Sequence, residues 1–374
     1  MAADDMNRTY PGPAAAPDGI LAARKPRMEW LDAMRGFTMI LVVAYHVAQF
    51  SFGESEKTSA SLPLLVLFRM PLFFFVSGFL AYKRRWTWTA GSYGSLVWKK
   101  VKVQVLPAFI FLCAFLVVRG KLPFADGLEK CMHSPTKGGY WFTWVLLQMF
   151  LIYYTVASLA QQIGRRAEHA AIVALWVVSL LAYQSLYMPK DLGKWYDNDF
   201  MMCSSLYETL KFMHFFLLGN IVHRAWSRVQ SLFDSRWFFP VAAAVAFFSC
   251  ADIFKWHELT GEETNLPRTL AMYSLMLMVV MFFRHWKEWF TSDKPAGRAL
   301  QYIGTRTLDI YLLHFILLPS LPAVGVWLNA NQPNFVVDVA LAVGVALLVI
   351  GFCLLASNLL RVSPVLKEYL FGRK

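Results

Sequence analysis

The sequence predicts an all-α protein, a polytopic bundle of about ten transmembrane helices with both termini in the cytoplasm. Apolar residues make up 57% of the 374-residue chain, charged residues make up 16%, and the mean hydropathy is +0.44. This composition is too apolar for an ordinary soluble domain. The apolar residues also fall in runs long enough to cross a hydrocarbon core of about 30 Å as helices. A regular alternation of basic loops supports the same count.

Ten apolar stretches are the predicted spans, each of about 17–25 residues. They centre on residues 34–52, 62–82, 102–118, 140–160, 169–185, 206–223, 237–254, 267–283, 304–328 and 336–360. Residues 29–362 thus form the predicted membrane domain. Residues 1–28 are rich in Ala, Pro, Asp and Gly and lack the apolar core of a cleaved signal, so they predict a disordered cytoplasmic tail. Residues 363–374 are the predicted cytoplasmic C-terminal tail.

Basic residues concentrate in alternate loops, as the positive-inside rule requires for ten crossings with both ends inside. The predicted inner side carries Arg24, Lys25, Arg27, Lys83, Arg84, Arg85, Lys99, Lys100, Arg165, Arg166, Arg224, Arg228, Arg236, Arg284, Lys287, Lys294, Arg298, Arg361, Lys367, Arg373 and Lys374. The opposite loops carry far fewer. The net charge of +12 is therefore mostly topogenic. Without an RNA- or DNA-binding motif, it predicts no nucleic-acid partner.

The five cysteines predict no metal site, because they show neither a CxxC pair nor another metal-ligand spacing. Cys131 and Cys203 fall in loops on the predicted outer side. A disulfide between them and two free thiols are the alternatives that the sequence leaves open.

The first span carries two ionisable residues, Arg35 and His46, eleven positions apart. In a helix they lie on one face, roughly 16 Å apart along the axis. An ionisable residue in a bilayer costs at least a few kcal/mol unless it faces a protein interior or a wet cavity. The pair therefore indicates a site. The alternative is that Arg35 extends to the interface and His46 is a packing residue.

Depth estimates place other polar residues at the level of His46. Arg69 in the second span and His314 in the ninth lie roughly 15–20 Å from the predicted inner surface, by counting residues along each helix. His214 in the sixth span falls near the same level. A shared polar cavity is the prediction for His46, Arg69 and His314. For His214 the alternative is a hydrogen bond to a neighbouring helix.

The two ends of this layer differ in chemistry. Lys99, Lys100 and Lys102 open the third span beside Arg35, and ammonium and guanidinium donors suit phosphate oxygens. Contact with anionic lipid is the alternative, equally suited to Lys100 and better suited to Lys83 through Arg85. At the outer end, Tyr140, Trp141 and Trp144 are either an interfacial aromatic belt or a stacking platform for sugar rings.

Four segments, RGFTMILVVAYH, FRMPLFFFVSGFL, WFTWVLL and GTRTLDIYLLH, taken in this order, resemble the acyltransferase-3 family of integral membrane acyltransferases. The resemblance covers about residues 28–360. It implies ten helices and transfer of an acyl group, commonly acetyl, from cytoplasmic acyl-coenzyme A to a carbohydrate hydroxyl on the far side. It further implies a multi-pass protein of the bacterial inner membrane, in contact with membrane lipids.

By position, Arg35 and His46 match the family's R-x10-H motif, Arg69 the arginine before the FF-x-x-SG stretch, and His314 the late histidine. The resemblance thus implies that His46 is a general base or a transient acyl carrier, that Arg69 steadies the oxyanion, and that His314 orients His46 or the acceptor.

The family's cytoplasmic R-x-x-R pair appears here as Lys99 and Lys102, which keeps the charge but loses the forked geometry. With Arg35, these lysines are the predicted binding residues for acetyl-coenzyme A or another acyl-coenzyme A, and Tyr140 and Trp141 are the predicted contacts of the carbohydrate acceptor. No metal is predicted.

The rival class of function is a secondary transporter or flippase, in which the same polar layer binds a solute that crosses unchanged. The sequence shows no readable inverted repeat and no paired Gly- or Pro-broken helices, which counts against it. A non-catalytic scaffold is a third alternative, but it leaves the aligned polar residues unexplained.

Overall fold

The structure, a computed structural model, describes residues 28–59, 61–83, 86–186, 198–254, 265–331 and 335–371. These ranges contain helices and no strand, which confirms the all-α class. The α-helices are α1 (Glu29–His46), α2 (Leu62–Ala81), α3 (Ala90–Lys100), α4 (Leu106–Arg119), α5 (Phe124–His133), α6 (Trp141–Ile163), α7 (Arg165–Leu186), α8 (Asp199–Ser204), α9 (Leu206–Arg224), α10 (Trp226–Phe233), α11 (Phe238–Ile253), α12 (Leu266–His285), α13 (Pro295–Thr305), α14 (Thr307–Leu317), α15 (Pro322–Asn331), α16 (Phe335–Leu360) and α17 (Pro364–Phe371).

Two π-helical turns extend this framework. Val47–Ser51 continues α1, and Val101–Val105 joins α3 to α4 in one 30-residue helical run. Single π-turns inside helices are frequent at functional sites. Here one of them directly follows His46 and the other directly follows Lys100.

Seven helical runs of the described residues are long and apolar enough to cross a membrane, and two bent helix pairs raise the number to nine. The helix α9 fills the remaining predicted span, but it has lower hydropathy because polar residues such as Glu208, Lys211 and Asn220 lie within it. The polytopic membrane bundle predicted from the sequence is thus confirmed as a fold class.

The predicted span over residues 304–328 is not one continuous helix. The chain there forms the end of α13, then α14 and α15, and α14 meets α15 at an angle of 89°. Pro319 follows just after α14 and Pro322 begins α15, and proline cannot continue a helix because it lacks the N–H donor. The guanidinium of Arg119 in α4 donates to the freed carbonyls of Ile316 and Leu318.

Glycine contacts set the two closest helix crossings. A Cβ on Gly36 of α1 would lie 2.0 Å from the carbonyl oxygen of Leu300 in α13, and one on Gly304 would lie 1.8 Å from that of Asp32. Gly78 of α2 and Gly219 of α9 meet each other's helix just as closely. Small residues allow such backbone approach in membrane bundles. These crossings fix α1 and α2, the helices that carry Arg35, His46 and Arg69.

The outer helices leave large apolar side chains exposed on the surface of the bundle. Phe247 and Phe248 of α11 and Leu348 and Leu355 of α16 are more than half exposed, at 62%, 57%, 65% and 66%. Such patches mark a surface that contacts lipid rather than water.

The structure describes the predicted C-terminal tail but not the predicted N-terminal tail. Residues 1–27 lie outside the described residues, so their disorder stays a prediction. In the predicted C-terminal tail, residues 364–371 form α17, whose terminal Phe371 is fully buried and packs against Phe111 of α4. Cys131 and Cys203 are free thiols in this structure, so the disulfide alternative is not realised.

Candidate active site

A cavity of about 390 Å³ runs through the bundle between α1, α2, α3, α6 and α14. Its polar lining includes Arg35, His46, Arg69, Lys83, Lys99 and Lys100, and Gly139 and Trp141 line its far end. We refer to the two ends as the Arg35 end, predicted to be cytoplasmic, and the Trp141 end, predicted to be outside. The cavity therefore joins the basic cluster to the midplane histidine.

His46 forms a direct pair with His314. Nδ1 of His46 lies 2.9 Å from Nε2 of His314, and the two rings are stacked with an interplanar angle of 16°. His314 has no exposed surface and lies behind His46, away from the cavity lining. His314 therefore reaches the cavity through His46.

Hydrogen bonds assign the protons of this pair. Nδ1 of His314 lies 3.1 Å from the carbonyl oxygen of Ile310 and 2.8 Å from that of Tyr311. Because carbonyls only accept, Nδ1 of His314 carries a hydrogen, and Nε2 of the neutral ring is an acceptor. Nδ1 of His46 must then donate to it. This leaves Nε2 of neutral His46 with a free electron pair.

Arg69 supplies a positive charge close to this pair. Its side chain is buried, and its guanidinium carbon lies 3.5 Å from the centroid of the Tyr45 ring, a cation–π contact. In the part of the chain that the structure describes, Nε of Arg69 has no hydrogen-bond partner. Arg69 is near enough to act electrostatically on His46. A buried cation with a spare donor suits negative charge that develops in the cavity.

Arg35 and two lysines form the basic end of the cavity. The Arg35 guanidinium lies 3.2 Å from Oδ1 of Asp32 and donates to the Thr307 hydroxyl at 3.1 Å, which holds it toward α14. Nζ of Lys100 lies 3.7 Å from the centroid of the Phe150 ring, and Lys99 lines the same end. Guanidinium and ammonium groups gathered at one end of a cavity suit an anionic ligand.

Lys102 and Lys83 depart from their predicted places. The structure does not bring Lys102 to the cavity; Nζ of Lys102 pairs with Oε1 of Glu368 in α17 at 2.7 Å, because the π-turn rotates it away from Lys99. Lys83 lies on the cavity lining instead of facing lipid alone. Burial and the nearby Lys99 lower the pKa of Lys83.

The two predicted acceptor contacts also separate. Trp141 lines the cavity and packs against Phe212, with ring centroids 5.8 Å apart. Tyr140 does not form a stacking platform, because it is buried and its hydroxyl donates to the carbonyl of Leu312 at 3.0 Å. Trp144 likewise donates to the Ser204 carbonyl.

His214 lies outside the cavity. It is fully buried, and its Nδ1 lies 2.7 Å from the Tyr273 hydroxyl of α12. This is the alternative interpretation given for His214, a hydrogen bond to a neighbouring helix. Similar depth along the membrane did not bring it to the pair.

The sequence interpretation missed Thr307 and Tyr311, which line the cavity, and Tyr45, which packs against Arg69. Tyr311 lines the cavity, and its hydroxyl donates to the Gly139 carbonyl at 3.1 Å at the Trp141 end. Tyr45 adjoins His46, and Thr307 and Tyr311 lie in the GTRTLDIYLLH segment. Their polar groups in motif segments were a usable signal.

Comparison with known proteins identifies the family. The family model described as "Acyltransferase domain" (Acyl_transf_3) matches residues 28–357, nearly the whole chain. The chain belongs to the acyltransferase-3 family. It is thus an integral, multi-pass membrane acyltransferase.

Curated relatives are similar over most of their length. Nodulation protein NolL of Mesorhizobium japonicum is 22% identical over 365 residues, which cover 89% of this chain and 88% of that protein. Glucans biosynthesis protein C of Escherichia coli is 24% identical over 367 residues, which cover 86% of this chain and 90% of that protein. No solved structure matches the chain significantly.

Proposed function

We propose that this acyltransferase moves an acyl group, acetyl in the first instance, from acyl-coenzyme A to a carbohydrate hydroxyl. The observation that carries the proposal is the single cavity that joins the basic Arg35 end to His46 and Trp141. Acyl-coenzyme A has a phosphate-rich head and a thin arm that ends in the thioester. A basic mouth with a narrow polar interior suits this shape.

The donor enters from the Arg35 end, with its phosphates at Arg35, Lys99 and Lys100. Arg35 and His46 are eleven residues apart on one helix, roughly 16 Å along its axis. The pantetheine arm is long enough to bridge that distance. Lys100 replaces Lys102 in this proposal because Lys102 pairs with Glu368. Since acyl-coenzyme A is cytoplasmic, we assign the Arg35 end to the cytoplasm and the protein to the bacterial inner membrane.

His46 is the proposed general base. As the acceptor oxygen attacks the thioester carbonyl, Nε2 of His46 takes the hydroxyl proton. Arg69 stabilises the resulting oxyanion. The tetrahedral intermediate then expels the coenzyme A thiolate, which takes the proton back from Nε2. His314 keeps the free electron pair on Nε2 by accepting from Nδ1 of His46. Direct acylation of Nε2, followed by transfer, is the alternative use of the same atom.

The acceptor approaches from the Trp141 end. Trp141 lines that end of the cavity and offers an indole face to a sugar ring. The Escherichia coli relative is a glucans biosynthesis protein, and because glucans are carbohydrates, this likeness supports a carbohydrate acceptor.

The deciding experiment uses purified protein in lipid nanodiscs with acetyl-coenzyme A labelled in the acetyl group. We expect free coenzyme A to appear with label on an added oligosaccharide, and mass spectrometry should show its acetylation. A transporter or flippase would leave the thioester intact. An intact thioester with a broad set of oligosaccharides and acyl chains would overturn the proposal.

A further inference from the structure

A second polar cluster lies at the Trp141 end of the bundle, apart from the cavity. Glu54 belongs to the loop between α1 and α2, and Asp338 lies in the first turn of α16. Both carboxylates are buried, with only 4% and 2% of their surface exposed. Neither residue lines the cavity.

Ser59 connects the two carboxylates. Its hydroxyl donates to Oδ2 of Asp338 at 2.7 Å and also forms a hydrogen bond with Glu54. The backbone N–H of Ser61 donates to the same Asp338 oxygen at 2.9 Å. A hydroxyl has a single proton, so Ser59 cannot donate to both acids at once.

Among the described residues, no hydrogen-bond partner is present for three buried oxygens: Oε2 of Glu54, Oδ1 of Asp338 and, at the start of the same loop, Oγ of Ser51. Ser51 ends the π-turn that leads into the Glu54 loop. Burial, followed by the charge of Asp338, raises the pKa of Glu54 to about 7. A buried ionised carboxylate is costly unless an opposite charge compensates it. Across the residues that the structure describes, neither Glu54 nor Asp338 forms a salt bridge that would supply that compensation.

We propose that Glu54 and Asp338 bind a divalent cation of the hard, oxygen-preferring class, Ca²⁺ or Mg²⁺. Such ions take carboxylate, hydroxyl, carbonyl and water oxygens, which matches the chemistry of the three unpartnered atoms. Within the described residues, no group of three or more His, Cys, Asp or Glu is placed to hold a metal. Two carboxylates with neutral ligands therefore make a weak site, with a dissociation constant on the order of 10⁻⁴–10⁻³ M, as in extracellular calcium modules.

The bound ion fastens the α1–α2 loop to α16. This loop joins the helices that carry His46 and Arg69, and the neighbouring Phe52 is already held against α15, where its carbonyl oxygen would lie 1.9 Å from a Cβ on Gly325. The cation thus acts as a clamp on the outer end of the site helices. The clamp does not depend on the identity of the acyl donor or the acceptor.

Equilibrium dialysis of the full chain in detergent tests the site directly. After chelator treatment, wild-type protein at pH 8 in ~10 mM CaCl₂, about ten times the upper end of the expected range of dissociation constants, should bind close to one more ion per chain than Glu54→Gln. A parallel series uses MgCl₂. Glu56→Gln, which removes the same charge from an exposed position of the same loop, should bind as wild type.

Thermal unfolding gives a second readout. At ten times the dissociation constant, the ion should favour the folded state by roughly tenfold. Ca²⁺ or Mg²⁺ should therefore raise the apparent Tm of wild type and of Glu56→Gln, but not of Glu54→Gln or Asp338→Asn. If Asp338→Asn fails to fold, Glu54→Gln still decides the result, because it keeps the size and the hydrogen-bonding capacity of the side chain.

Equal ion binding and equal Tm responses in wild type and Glu54→Gln would overturn the proposal. The proposal would also be overturned if the site between Glu54 and Asp338 held only a proton. In that case divalent ions have no effect, and the stability contribution of Glu54 is present at low pH and lost as the pH rises through about 7, the raised pKa of Glu54. Glu54→Gln would abolish that pH dependence.

Discussion

His46 and His214 are both histidines of the bundle, predicted at nearly the same depth, yet His46 is half-buried, His214 is fully buried, and their surroundings differ. His46 lines the cavity and pairs with His314 at 2.9 Å. His214 faces away from the cavity and bonds to Tyr273 at 2.7 Å. The first histidine has a ring at the cavity lining, whereas the ring of the second, including its unpartnered Nε2, is enclosed by described residues such as Tyr183 and Phe215. Burial and depth alone therefore do not identify a site residue. The residue must also lie on the face of its helix that lines the cavity.

The largest expected effect separates these two histidines. His46→Ala should reduce kcat by about a hundredfold to ten-thousandfold, the usual range for a general acid–base group. His214→Ala should leave kcat within a few-fold of wild type and lower the Tm instead, because it removes the hydrogen bond between His214 and Tyr273 and opens a void. Steady-state coenzyme A release and thermal unfolding measure both. Comparable losses of kcat in the two variants would erase the distinction.

Arg69 is expected to rank next. Arg69→Gln removes the charge that faces the oxyanion and should reduce kcat by about a hundredfold, the scale for loss of one oxyanion donor. Arg69→Lys keeps a charge but loses the stacked geometry over Tyr45 and should recover part of the rate. If Arg69→Gln changes only KM, then Arg69 binds substrate in the ground state and does not stabilise the transition state.

The contact between the two imidazoles gives a smaller effect. His314→Phe removes the acceptor for Nδ1 of His46, and an unpaired buried donor costs about 1–3 kcal/mol. We expect kcat to fall by roughly tenfold to a hundredfold. His314→Gln, whose amide oxygen can accept the same hydrogen bond, should regain part of the loss. A positioning role is contradicted if Gln and Phe behave alike.

The smallest expected effect lies at the basic mouth. Lys99→Ala combined with Lys100→Ala should raise KM for acyl-coenzyme A several-fold with little change in kcat, because phosphate contacts are alike in ground and transition states. The rise should weaken at high salt. Lys102→Ala is the matched control, since its ammonium pairs with Glu368. A larger KM shift in the control would return the donor site to the predicted Lys99 and Lys102 pair.

Helical periodicity and depth explain what the sequence could predict. The span positions, the alignment of Arg35 with His46 on one face, and the common level of Arg69 and His314 follow from 1.5 Å per residue along a helix. The rise per residue does not fix the rotation of each helix about its own axis. That rotation turns His46 toward the cavity and His214 away from it. The π-turn at Val101–Val105 changes the side of the helix on which Lys102 lies. No residue of VKVQV predicts such a turn.

The sequence predicted the breaks between helices only in part. Pro319 and Pro322 mark the end of α14, but a window of apolar residues ran across them and joined α14 to α15. Residues 363–374 were predicted as a tail because they follow the last long apolar stretch. They nevertheless include α17, whose Phe371 packs into the bundle. Apolar content reports membrane affinity more than it reports the direction of the chain.

The break after α14 has a consequence for biogenesis. An 11-residue helix spans only about 16 Å, roughly half of the hydrocarbon core, so α14 cannot enter the bilayer as an independent transmembrane segment. Its last carbonyls are satisfied by Arg119, a residue synthesised almost two hundred positions earlier. The hydrocarbon core contains no water that could donate hydrogen bonds to those carbonyls in place of Arg119. We therefore expect His314 to reach its place only after the first four helices have been inserted, so that the active site is assembled last, during integration of the C-terminal half.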